Sequence, residues 1–206
     1  MSFLSAYFYD SFLAKTEKAC LKEWRKDILK HVHGNVLEIG AGTGANILVY
    51  PNNGIQLTLS EPDKHMRKQL EDKVVRNGLN HILITSNSIE DNNAKSETYD
   101  CVVSTLVSCS VPTLESTFTE IKRILKPNGY FLFIEHVGAE KGTRRRLWQN
   151  RFTPIWRNIS GNCHLNRDIE DAIVNAGFTL KEIKRESMRK ATPLVRPTIR
   201  GIAVKN

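Results

Sequence analysis

The chain has 206 residues, 40% hydrophobic and 25% charged, and its 30 Lys and Arg against 22 Asp and Glu give a formal net charge of +8. This apolar content excludes a disordered chain, and the length fits one domain whose core needs no disulfide or metal for stability. Because the sequence contains no apolar run of 18 residues, it predicts no membrane-spanning helix.

The positive charge is concentrated in the last third of the chain. Residues 1–140 contain 15 basic and 17 acidic side chains, a net charge of −2, whereas residues 141–206 contain 15 basic and 5 acidic, a net charge of +10. A basic segment of this kind is typical of contact with nucleic acid, an anionic membrane or an anionic ligand, and it is also typical of a plain solvated surface.

The four cysteines show no spacing typical of a metal site or a disulfide framework. They are Cys20, Cys101, Cys109 and Cys163. Cys163-His164 and His31-x-His33 are isolated pairs without a partner at ligand spacing, so no metal site is predicted. Residues 1–15 lack the basic region and apolar core of a secretion signal. Reduced thiols and no secretion signal together predict a cytoplasmic location.

The predicted elements alternate along the chain between helices and short strands. Helical spacing marks residues 16–31, and further helices are expected at 44–49, 63–77, 113–125 and 167–176. Apolar runs typical of strands covered on both faces lie between them. These runs are Val36–Ile39, Leu57–Leu59, Ile82–Ile84, Cys101–Val103 and Tyr130–Ile134, followed by Phe178–Arg185 and Ile199–Val204. The order predicts an α/β fold: a Rossmann-like, doubly wound, mostly parallel seven-stranded sheet with an antiparallel terminal strand and helices on both faces.

A glycine-rich loop follows the first strand. It contains Gly40, Gly42 and Gly44, which permit a tight turn, close approach of the backbone to a ligand, and close packing at the start of the helix expected at 44–49. The N–H groups of that helix would face the bound molecule. The same glycines also satisfy a dinucleotide pattern. Glu38 favours a different ligand, because a carboxylate repels a pyrophosphate and attracts an ammonium or sulfonium group, by roughly 4 kcal/mol for unit charges about 4 Å apart at intermediate dielectric.

An acid stands at the end of the second strand. Glu61 follows Gly44 by 17 residues, and an acid at this position accepts both ribose hydroxyls in adenosine-binding α/β folds. Taken alone, Glu61 is equally typical of a surface acid at a strand end. Its spacing from the glycine loop favours the ligand-binding interpretation.

Five motifs in this order resemble those of the class I S-adenosylmethionine-dependent methyltransferases. They are Glu38-x-Gly40-x-Gly42-x-Gly44, Leu59-Ser60-Glu61-Pro62, Ser88-Ile89-Glu90, Tyr99-Asp100-Cys101-Val102-Val103-Ser104 and Leu125-Lys126-Pro127-Asn128-Gly129. The one departure is Asn128, which stands where a second glycine is usual. The resemblance implies S-adenosyl-L-methionine as the cofactor. The residues that it implies for cofactor binding are Tyr9, Glu38, Gly40, Ala41, Gly42, Gly44, Asn46, Glu61, Pro62, Ser88, Ile89, Glu90, Thr105 and Leu106.

Further segments resemble the thiol S-methyltransferases of the methyltransferase-like seven group, from about residue 34 to the C-terminus. They are residues 42–46 with Tyr50-Pro51, residues 105–111, Glu135-His136-Val137 and Leu194-Val195-Arg196-Pro197. That group carries an N-terminal membrane-anchoring segment, which this sequence does not show. The resemblance implies methyl transfer to a small, apolar thiol. Three alternatives stay open: N- or O-methylation of a lipid head group or small metabolite, a non-catalytic cofactor-binding protein, and, less favoured, a nucleic-acid methyltransferase.

The resemblance divides the expected single domain, residues 1–206, into four segments. They are an N-terminal helical cover at 1–33, a cofactor-binding core at 34–136, a basic acceptor-side insertion at 137–167, and a terminal helix and strand pair at 168–206. We expect a monomer that binds a small-molecule methyl acceptor.

His136 is the candidate catalytic residue, because it follows the fifth strand at the carboxyl edge of the sheet. It would act as a base or orient the acceptor, although a structural histidine at a strand end is an equally good interpretation. A thiol with a pKa near 8.5 needs little help to lose its proton, so positioning can supply most of the rate. Cys109 is expected to line the acceptor site or to be a buried packing thiol. Tyr9-Asp10 resembles an element that covers the amino-acid end of the cofactor, with Asp10 equally typical of a helix N-cap.

The basic insertion contains an aromatic stripe. Trp148, Phe152 and Trp156 recur at spacing four, and Thr153-Pro154 predicts a break with a second short helix beginning at Pro154. The aromatic side chains would pack on the core. Alternatively, the insertion would form a lid over the acceptor pocket, with Arg144–Arg146 in peripheral contact with an anionic membrane. Nucleic acid is the third and least favoured partner.

Overall fold

The computed structural model of the chain describes residues 3–51 and 54–206, with side chains from residue 10 onward. Its strands are β1 (Gly34–Ile39), β2 (Ile55–Ser60), β3 (Leu83–Thr85), β4 (Tyr99–Thr105), β5 (Leu125–His136), β6 (Phe178–Ser187) and β7 (Pro197–Lys205). Its α-helices are α1 (Phe3–Thr16), α2 (Lys22–Leu29), α3 (Lys64–Arg76), α4 (Leu114–Ile124), α5 (Arg144–Ile159) and α6 (Ile169–Asn175). A π-helical turn, Glu17–Leu21, joins α1 to α2, and a 3₁₀ turn, Pro193–Val195, precedes β7.

The seven strands form one sheet in the order β3-β2-β1-β4-β5-β7-β6. Strands β1 to β5 pair in parallel, and β7 lies antiparallel to both β5 and β6. This arrangement confirms the predicted doubly wound sheet with an antiparallel end. Asn128 has φ 61°, a left-handed conformation that asparagine tolerates, so it replaces the expected glycine before the core of β5.

Two apolar cores cover the two faces of the sheet. Val36 belongs to the core that includes Trp24 of α2 and Leu70 of α3, whereas the next residue, Leu37, belongs to the core that includes Phe118 of α4 and Ile173 of α6. Successive side chains of a strand point to opposite faces, so a strand that is apolar at every position requires cover on both sides. The helices therefore lie on both faces, as predicted.

The helix predicted at 44–49 is wrong, because these residues form consecutive turns. The amide of Gly44 donates to the carbonyl of Ala41 at 2.9 Å, and that of Val49 donates to Asn46 at 2.8 Å. Gly44 has φ +78°, which is incompatible with the first turn of a helix. The expected helix N-terminus is therefore absent from the glycine loop, and turn amides take its place.

The predicted break at Thr153-Pro154 is also wrong, since α5 runs unbroken from Arg144 to Ile159. Pro154 deprives the carbonyl of Asn150 of its helical donor, and this position is exposed, so water can satisfy it. The Thr153 hydroxyl does not cap a second helix, because it donates back to the Gln149 carbonyl at 2.7 Å. Among the described residues, no helix is long and apolar enough to cross a membrane.

Candidate active site

Two cavities meet at the carboxyl edge of the parallel strands. The first, here called the glycine-loop cavity, has a volume of about 280 Å³, and the second, the cysteine cavity, about 490 Å³. Both are lined by Leu106 and Ser110, which follow β4. The edge beyond the strands is where ligands bind in open α/β sheets. The predicted residues that line the glycine-loop cavity are Gly40, Gly42, Glu61, Pro62, Ser88, Ile89, Glu90 and Leu106.

Glu61 is held in place by backbone amides on both of its oxygens. The N–H of Gly42 donates to Oε2 at 2.7 Å, and the N–H of Asp63 donates to Oε1 at 2.8 Å. Burial raises the pKa of this carboxyl, and the two amides work against that rise. Each carboxylate oxygen keeps a second lone pair, so an oriented Glu61 can accept a pair of vicinal hydroxyls.

Gly42 leaves open space above the loop. It has φ +59°, and a Cβ built on it would have no described atom within 4 Å, so the loop backbone faces the cavity directly. Gly40 also lines the cavity, with φ +56°, and a Cβ there would lie 2.7 Å from the Val107 methyl groups. Gly42 thus has the conformation and the space that close approach of a ligand requires, whereas Gly40 permits close packing against Val107.

Gly44 and Ala41 serve the loop itself and do not line either cavity. A Cβ on Gly44 would lie 2.7 Å from Leu70 Cδ1, so this glycine permits close packing against α3. The Ala41 amide donates to the Ser60 carbonyl at 3.0 Å, which joins the loop to the end of β2.

The N-terminal helix contacts the same loop through Asp10. Its Oδ1 accepts a hydrogen bond from the Thr43 hydroxyl at 2.6 Å. The Tyr9 side chain, also predicted to bind cofactor, lies outside the described residues, and its role stays a prediction. Asp10 therefore brings α1 over the loop, and it does so as a side-chain acceptor, since it lies inside α1 and not at an N-cap.

Glu38, Asn46 and Thr105 converge in a buried network beside the glycine-loop cavity. Glu38 accepts from Asn46 Nδ2 at 2.8 Å and from the Tyr50 hydroxyl at 2.7 Å. Arg25 Nη1 donates to Asn46 Oδ1 and to Thr105 Oγ1, both at 2.9 Å. These three predicted residues meet one another but line neither cavity. Internal donors occupy both oxygens of Glu38, so this carboxylate fixes the shape of the loop.

Burial raises the pKa of Glu38 to about 7, although hydrogen bonds from Tyr50 and Asn46 and the charge of Arg25 oppose the rise. Glu38 is therefore only partly ionised near neutral pH, which weakens the attraction that the sequence predicted between this carboxylate and a cationic ligand.

Sequence reasoning missed Arg25. Its side chain is 4% exposed and forms an ion pair with Glu17 at 2.9 Å. The signal is its place in the apolar stripe of the N-terminal helices, with Leu21 before it and Ile28 after it. A charge in such a stripe indicates a buried polar partner, which is supplied here by the glycine loop and β4.

The residues bordering the far end of the glycine-loop cavity belong to the segment after β3. Ile89 is buried there, and Glu90 Oε1 accepts from the Thr117 hydroxyl of α4 at 2.8 Å. The Ser88 hydroxyl is bonded to Asp91 Oδ2 at 2.9 Å, so its side chain serves the turn. Ser88, Ile89 and Glu90 thus form a fixed border to the cavity.

The cysteine cavity is mostly apolar and contains a cysteine-histidine cluster. Its lining includes Phe12, Leu13, Leu106, Trp156, Ile159, Met188 and Val195. Cys109, His136 and Cys163, named here the Cys-His-Cys cluster, also line it, and their ligand-type atoms all lie within 4.8 Å of one another. His136 Nε2 is 2.9 Å from the Cys163 sulfur. The structure therefore brings two of the predicted site candidates, His136 and Cys109, to one place, together with Cys163.

Backbone contacts hold the two cysteine loops together. The His164 amide donates to the Cys109 carbonyl at 2.8 Å, and Arg167 Nη1 donates to the Ser108 carbonyl at 2.7 Å. Asn162 Nδ2 donates to the Ser110 carbonyl at 2.9 Å. The loop after α5 is thus clamped onto the turn after β4. No local pattern marks Cys163, because its partners lie 27 and 54 residues earlier in the chain.

The two cysteines of the cluster shift each other's pKa in opposite directions. The neighbouring Cys109 and the hydrogen bond with His136 lower the pKa of Cys163. The neighbouring Cys163 and burial raise the pKa of Cys109. Two buried nitrogens at this place, His136 Nδ1 and Trp156 Nε1, have no hydrogen-bond partner among the described residues.

Glu135 precedes His136 and is held by the end of β4 and the turn that follows it. Its Oε1 accepts from the Ser104 hydroxyl at 2.5 Å and from the Val107 amide at 3.2 Å. Complete burial raises the pKa of this carboxyl. Neither the Glu135 nor the Ser104 side chain lines either cavity. They anchor the turn that carries Leu106 and Cys109.

Helix α5 turns its polar stripe inward and its apolar stripe outward. Arg146 forms a bidentate pair with Asp168, and Gln149 is fully buried. Trp148 is 52% and Ile155 is 62% exposed, whereas Trp156 lines the cysteine cavity. The interpretation that the aromatic stripe packs on the core is therefore wrong for Trp148 and for Phe152, which is 41% exposed. The exposed apolar residues of the helix are Leu147, Trp148, Phe152, Ile155 and Ile159.

The comparisons with known proteins agree with this geometry. A protein-family description, "Methyltransferase domain", matches residues 37–133. Thiol S-methyltransferase TMT1A of Homo sapiens is 34% identical over 183 residues, covering 83% of this chain and 70% of that protein. Thiol S-methyltransferase TMT1B of Mus musculus is 34% identical over 211 residues, covering 100% of this chain and 84% of that protein.

A solved structure shows the same fold. The geranyl diphosphate C-methyltransferase of Streptomyces coelicolor A3(2), bound to S-adenosyl-L-homocysteine, superposes with a TM-score of 0.73 at 12% identity, covering 92% of this chain and 79% of that one. The open loop at Gly42 and the oriented carboxylate of Glu61 fit an adenosyl cofactor with a ribose diol. The chain therefore belongs to the class I S-adenosylmethionine-dependent methyltransferases, in the family that includes the thiol S-methyltransferases TMT1A and TMT1B, and its cofactor is S-adenosylmethionine.

Proposed function

We propose that the chain transfers a methyl group to the sulfur of a small, apolar thiol. The observation that carries this proposal is the lining of the cysteine cavity. Its walls are apolar, and its polar lining includes His136 and Lys190 but no Asp or Glu among the described residues. An amine acceptor is cationic at neutral pH and would lack a compensating carboxylate there, whereas a thiolate is compatible with a nearby cation.

The cofactor supplies a methyl group already activated on a sulfonium. The protein then has to hold the acceptor sulfur in line with that methyl group and exclude water. The two cavities meet at Leu106 and Ser110, so a thiol in the cysteine cavity faces a cofactor in the glycine-loop cavity. We assign His136 the role of orienting the acceptor sulfur, because it is buried at the wall of the cavity and its Nδ1 has no hydrogen-bond partner in the described part of the chain.

The test is a panel of alkyl thiols, aryl thiols, amines, phenols and phosphatidylethanolamine vesicles, each offered with methyl-labelled cofactor. We expect label in the thiols, with kcat/KM rising as the alkyl chain lengthens, since each buried methylene contributes about 0.8 kcal/mol. Label only in amines, phenols or lipid would contradict the thiol proposal. Absence of label in every acceptor, with cofactor binding intact, would favour a non-catalytic cofactor-binding protein.

We further propose that the exposed stripe of α5 lies on an anionic membrane surface. Leu147, Trp148 and Ile155 point to solvent on one side of the helix, and Arg144 and Arg145 are exposed at its start. Exposed tryptophan and aliphatic side chains beside arginines are typical of helices that lie in the membrane interface. Ile159 belongs to this stripe and also lines the cysteine cavity, so an apolar acceptor could enter from the membrane.

Vesicle sedimentation tests this contact. Wild type should bind vesicles that contain phosphatidylserine, and the Trp148→Ser/Ile155→Ser variant and the Arg144→Glu/Arg145→Glu variant should bind weakly. Arg146 is left unchanged because it pairs with Asp168 inside the fold. Lys68→Glu, on the surface of α3, serves as the control for charge alone. Equal sedimentation of all variants would contradict the membrane proposal.

A further inference from the structure

The Cys-His-Cys cluster has the composition of a metal site. Its three side chains come from three separate segments: Cys109 from the turn after β4, His136 from the end of β5, and Cys163 from the loop after α5. Their sulfur and nitrogen atoms lie within 4.8 Å of one another, and Cys109 and His136 are buried. Two sulfurs and one imidazole nitrogen form a ligand set that favours zinc over magnesium or calcium.

The distances suit a tetrahedral ion after a small adjustment. Bonds of about 2.3 Å to sulfur and about 2.1 Å to nitrogen place tetrahedral ligand atoms roughly 3.6 to 3.8 Å apart. The ligand atoms of the cluster all lie within 4.8 Å of one another, and the 2.9 Å between His136 Nε2 and the Cys163 sulfur has to open. Rotation of the Cys163 side chain can supply this opening, because Cys163 lies in a loop and not in a helix or strand.

The surrounding structure keeps the three residues in place. The His164 amide bonded to the Cys109 carbonyl and Arg167 bonded to the Ser108 carbonyl fix one loop on the other. Buried polar atoms without partners are rare and concentrate at ligand sites, and two of those found among the described residues, His136 Nδ1 and Trp156 Nε1, lie at this cluster. The cluster also borders the cysteine cavity, so a fourth ligand could reach it.

We propose that Cys109, His136 and Cys163 form a binding site for a thiophilic divalent cation such as Zn²⁺, with a fourth coordination position that opens into the cysteine cavity. Three protein ligands and one open position are the arrangement of catalytic zinc sites, whereas structural sites have four protein ligands. The expectation that no metal site is present was based on local spacing. That basis fails for Cys163, because the fold supplies partners that are distant in sequence.

The open position would hold the sulfur of the acceptor, and this part rests on the proposed thiol methylation. A thiol that binds the cation loses its proton to solvent and is fixed as a thiolate. Its lone pair forms the new bond to the methyl carbon while the sulfonium carbon–sulfur bond breaks, and the electron pair of that bond stays on the cofactor sulfur. The thioether product is neutral and a weaker ligand than the thiolate, so it can leave.

The experiment measures metal content and sulfur ligation in the full chain. Reduced protein is loaded with Zn²⁺, desalted and analysed for zinc, and a parallel sample is loaded with Co²⁺ for absorption spectroscopy. We expect about one equivalent of zinc and a sulfur-to-cobalt charge-transfer band. Cys109→Ala, His136→Ala and Cys163→Ala should each weaken zinc affinity more than about 100-fold, because loss of a partner behind a ligand already costs 10- to 100-fold.

Cys101→Ala is the matched control. Cys101 is a buried cysteine whose sulfur lies 3.6 Å from His33 Nδ1, yet its pair belongs to no group of three such ligands among the described residues. This variant should keep the zinc of the wild type. Binding of S-adenosylhomocysteine shows that each variant is folded, and the cobalt spectrum of the wild type tests the site without any substitution.

Three results would overturn the proposal: wild type that retains no zinc, cluster variants that retain it fully, or a cobalt spectrum without a sulfur band. A small alkyl thiol should shift the cobalt spectrum, and no shift would overturn the role of the open position. Zinc binding without thiol methylation would contradict the proposed function and support the metal site. Thiol methylation at an unchanged rate in metal-free protein would support the proposed function and contradict a role of the metal in the reaction.

Discussion

The two cavities of this methyltransferase are built in different ways. The glycine-loop cavity takes most of its lining from one loop and from the ends of neighbouring parallel strands, with Gly42 and Glu61 joined by a 2.7 Å hydrogen bond. The cysteine cavity takes its lining from α1, from the turn after β4, from α5 and its following loop, and from the segment before β7. The first is therefore fixed by local backbone geometry, and the second depends on the packing of distant segments.

The two regions also differ in how they treat polar groups. Beside the glycine-loop cavity, Arg25, Glu38 and Asn46 are buried and bonded to one another. At the cysteine cavity, nitrogens of His136 and Trp156 are buried without partners among the described residues. A satisfied network makes a rigid site, whereas unpartnered groups are typical of a site that is completed by its ligand. We therefore expect substitutions at the glycine-loop cavity to weaken cofactor binding, and substitutions at the cysteine cavity to slow methyl transfer without changing cofactor binding.

The largest effect is expected from His136→Gln, which removes the imidazole and keeps a polar side chain of similar length. The variant should lose about 100-fold or more in kcat/KM for thiols, the range for loss of a catalytic imidazole. Its affinity for S-adenosylhomocysteine should stay unchanged. Steady-state kinetics and calorimetric titration measure the two quantities. Equal losses in kcat/KM and in affinity for S-adenosylhomocysteine would contradict separate roles for the two cavities.

The next effect is on stability. Arg25→Met should lower the free energy of unfolding by about 2 to 4 kcal/mol, because it leaves Asn46 Oδ1 buried without its donor and removes one of the two donors to Thr105 Oγ1. For a chain of this size, that corresponds to a fall of roughly 4 to 16 °C in Tm. Lys26→Met, on the exposed side of the same helix, is the control. A Tm for Arg25→Met equal to that of the control would show that the network is not stabilising.

Glu61→Ala should weaken the binding of S-adenosylhomocysteine about 30-fold, since loss of hydrogen bonds to a charged group costs about 2 kcal/mol. Calorimetric titration measures the change, and Glu115→Ala, on the surface of α4, is the control. Zinc content should not change in the variant. Undiminished binding would contradict the assignment of Glu61 to the ribose.

The smallest effect is a pH dependence of stability that comes from Glu38. Burial raises the pKa of Glu38 from 4.5 to about 7 in the folded chain. The protonated form is therefore favoured by folding, and its contribution is complete below pH 4.5 and is lost as the pH rises through 7. Glu38→Gln should remove this slope, so its stability relative to wild type should rise by about 2 kcal/mol between pH 5.5 and 8.

Urea unfolding at the two pH values measures this difference. Glu90→Gln, at the border of the glycine-loop cavity, is the control, because Glu90 lies outside the buried network of Arg25, Glu38 and Asn46. If the wild type and Glu38→Gln respond to pH in parallel, the carboxyl of Glu38 titrates normally and the network does not enclose it.

Local patterns predicted the sheet, and some of the residues predicted to bind cofactor line the glycine-loop cavity. The strands at Val36–Ile39 and Tyr130–Ile134 are apolar apart from Glu38, and apolar residues on both faces of a strand favour cover on both sides. Gly42 and Glu61 follow consecutive parallel strands, so the fold brings them to one edge.

Two predictions of local structure failed. Residues 44–49 form turns because Gly44 takes a left-handed conformation, and α5 continues through Pro154 because the freed carbonyl is exposed.

Most of the cysteine cavity had no local signal, since Cys163 shows no ligand spacing in the sequence. The outward apolar stripe of α5 was also hidden, because periodicity reveals a stripe but not which side of it faces the core. That side was decided by the bidentate pair of Arg146 with Asp168 and by the buried Gln149.

Local sequence patterns were sufficient to predict the α/β class, the parallel part of the sheet and the cofactor motifs. The reason is that backbone dihedral preferences and side-chain alternation act within a few residues. Tertiary structure alone decided that Cys109, His136 and Cys163 meet, that Arg25 is buried, and that Trp148 faces outward. These outcomes depend on side chains tens of residues apart that satisfy one another only after the chain has folded. Tertiary structure also decided where the basic side chains of residues 141–206 lie. Arg146 and Arg167 form hydrogen bonds inside the fold, and Arg144 and Arg145 are on its surface.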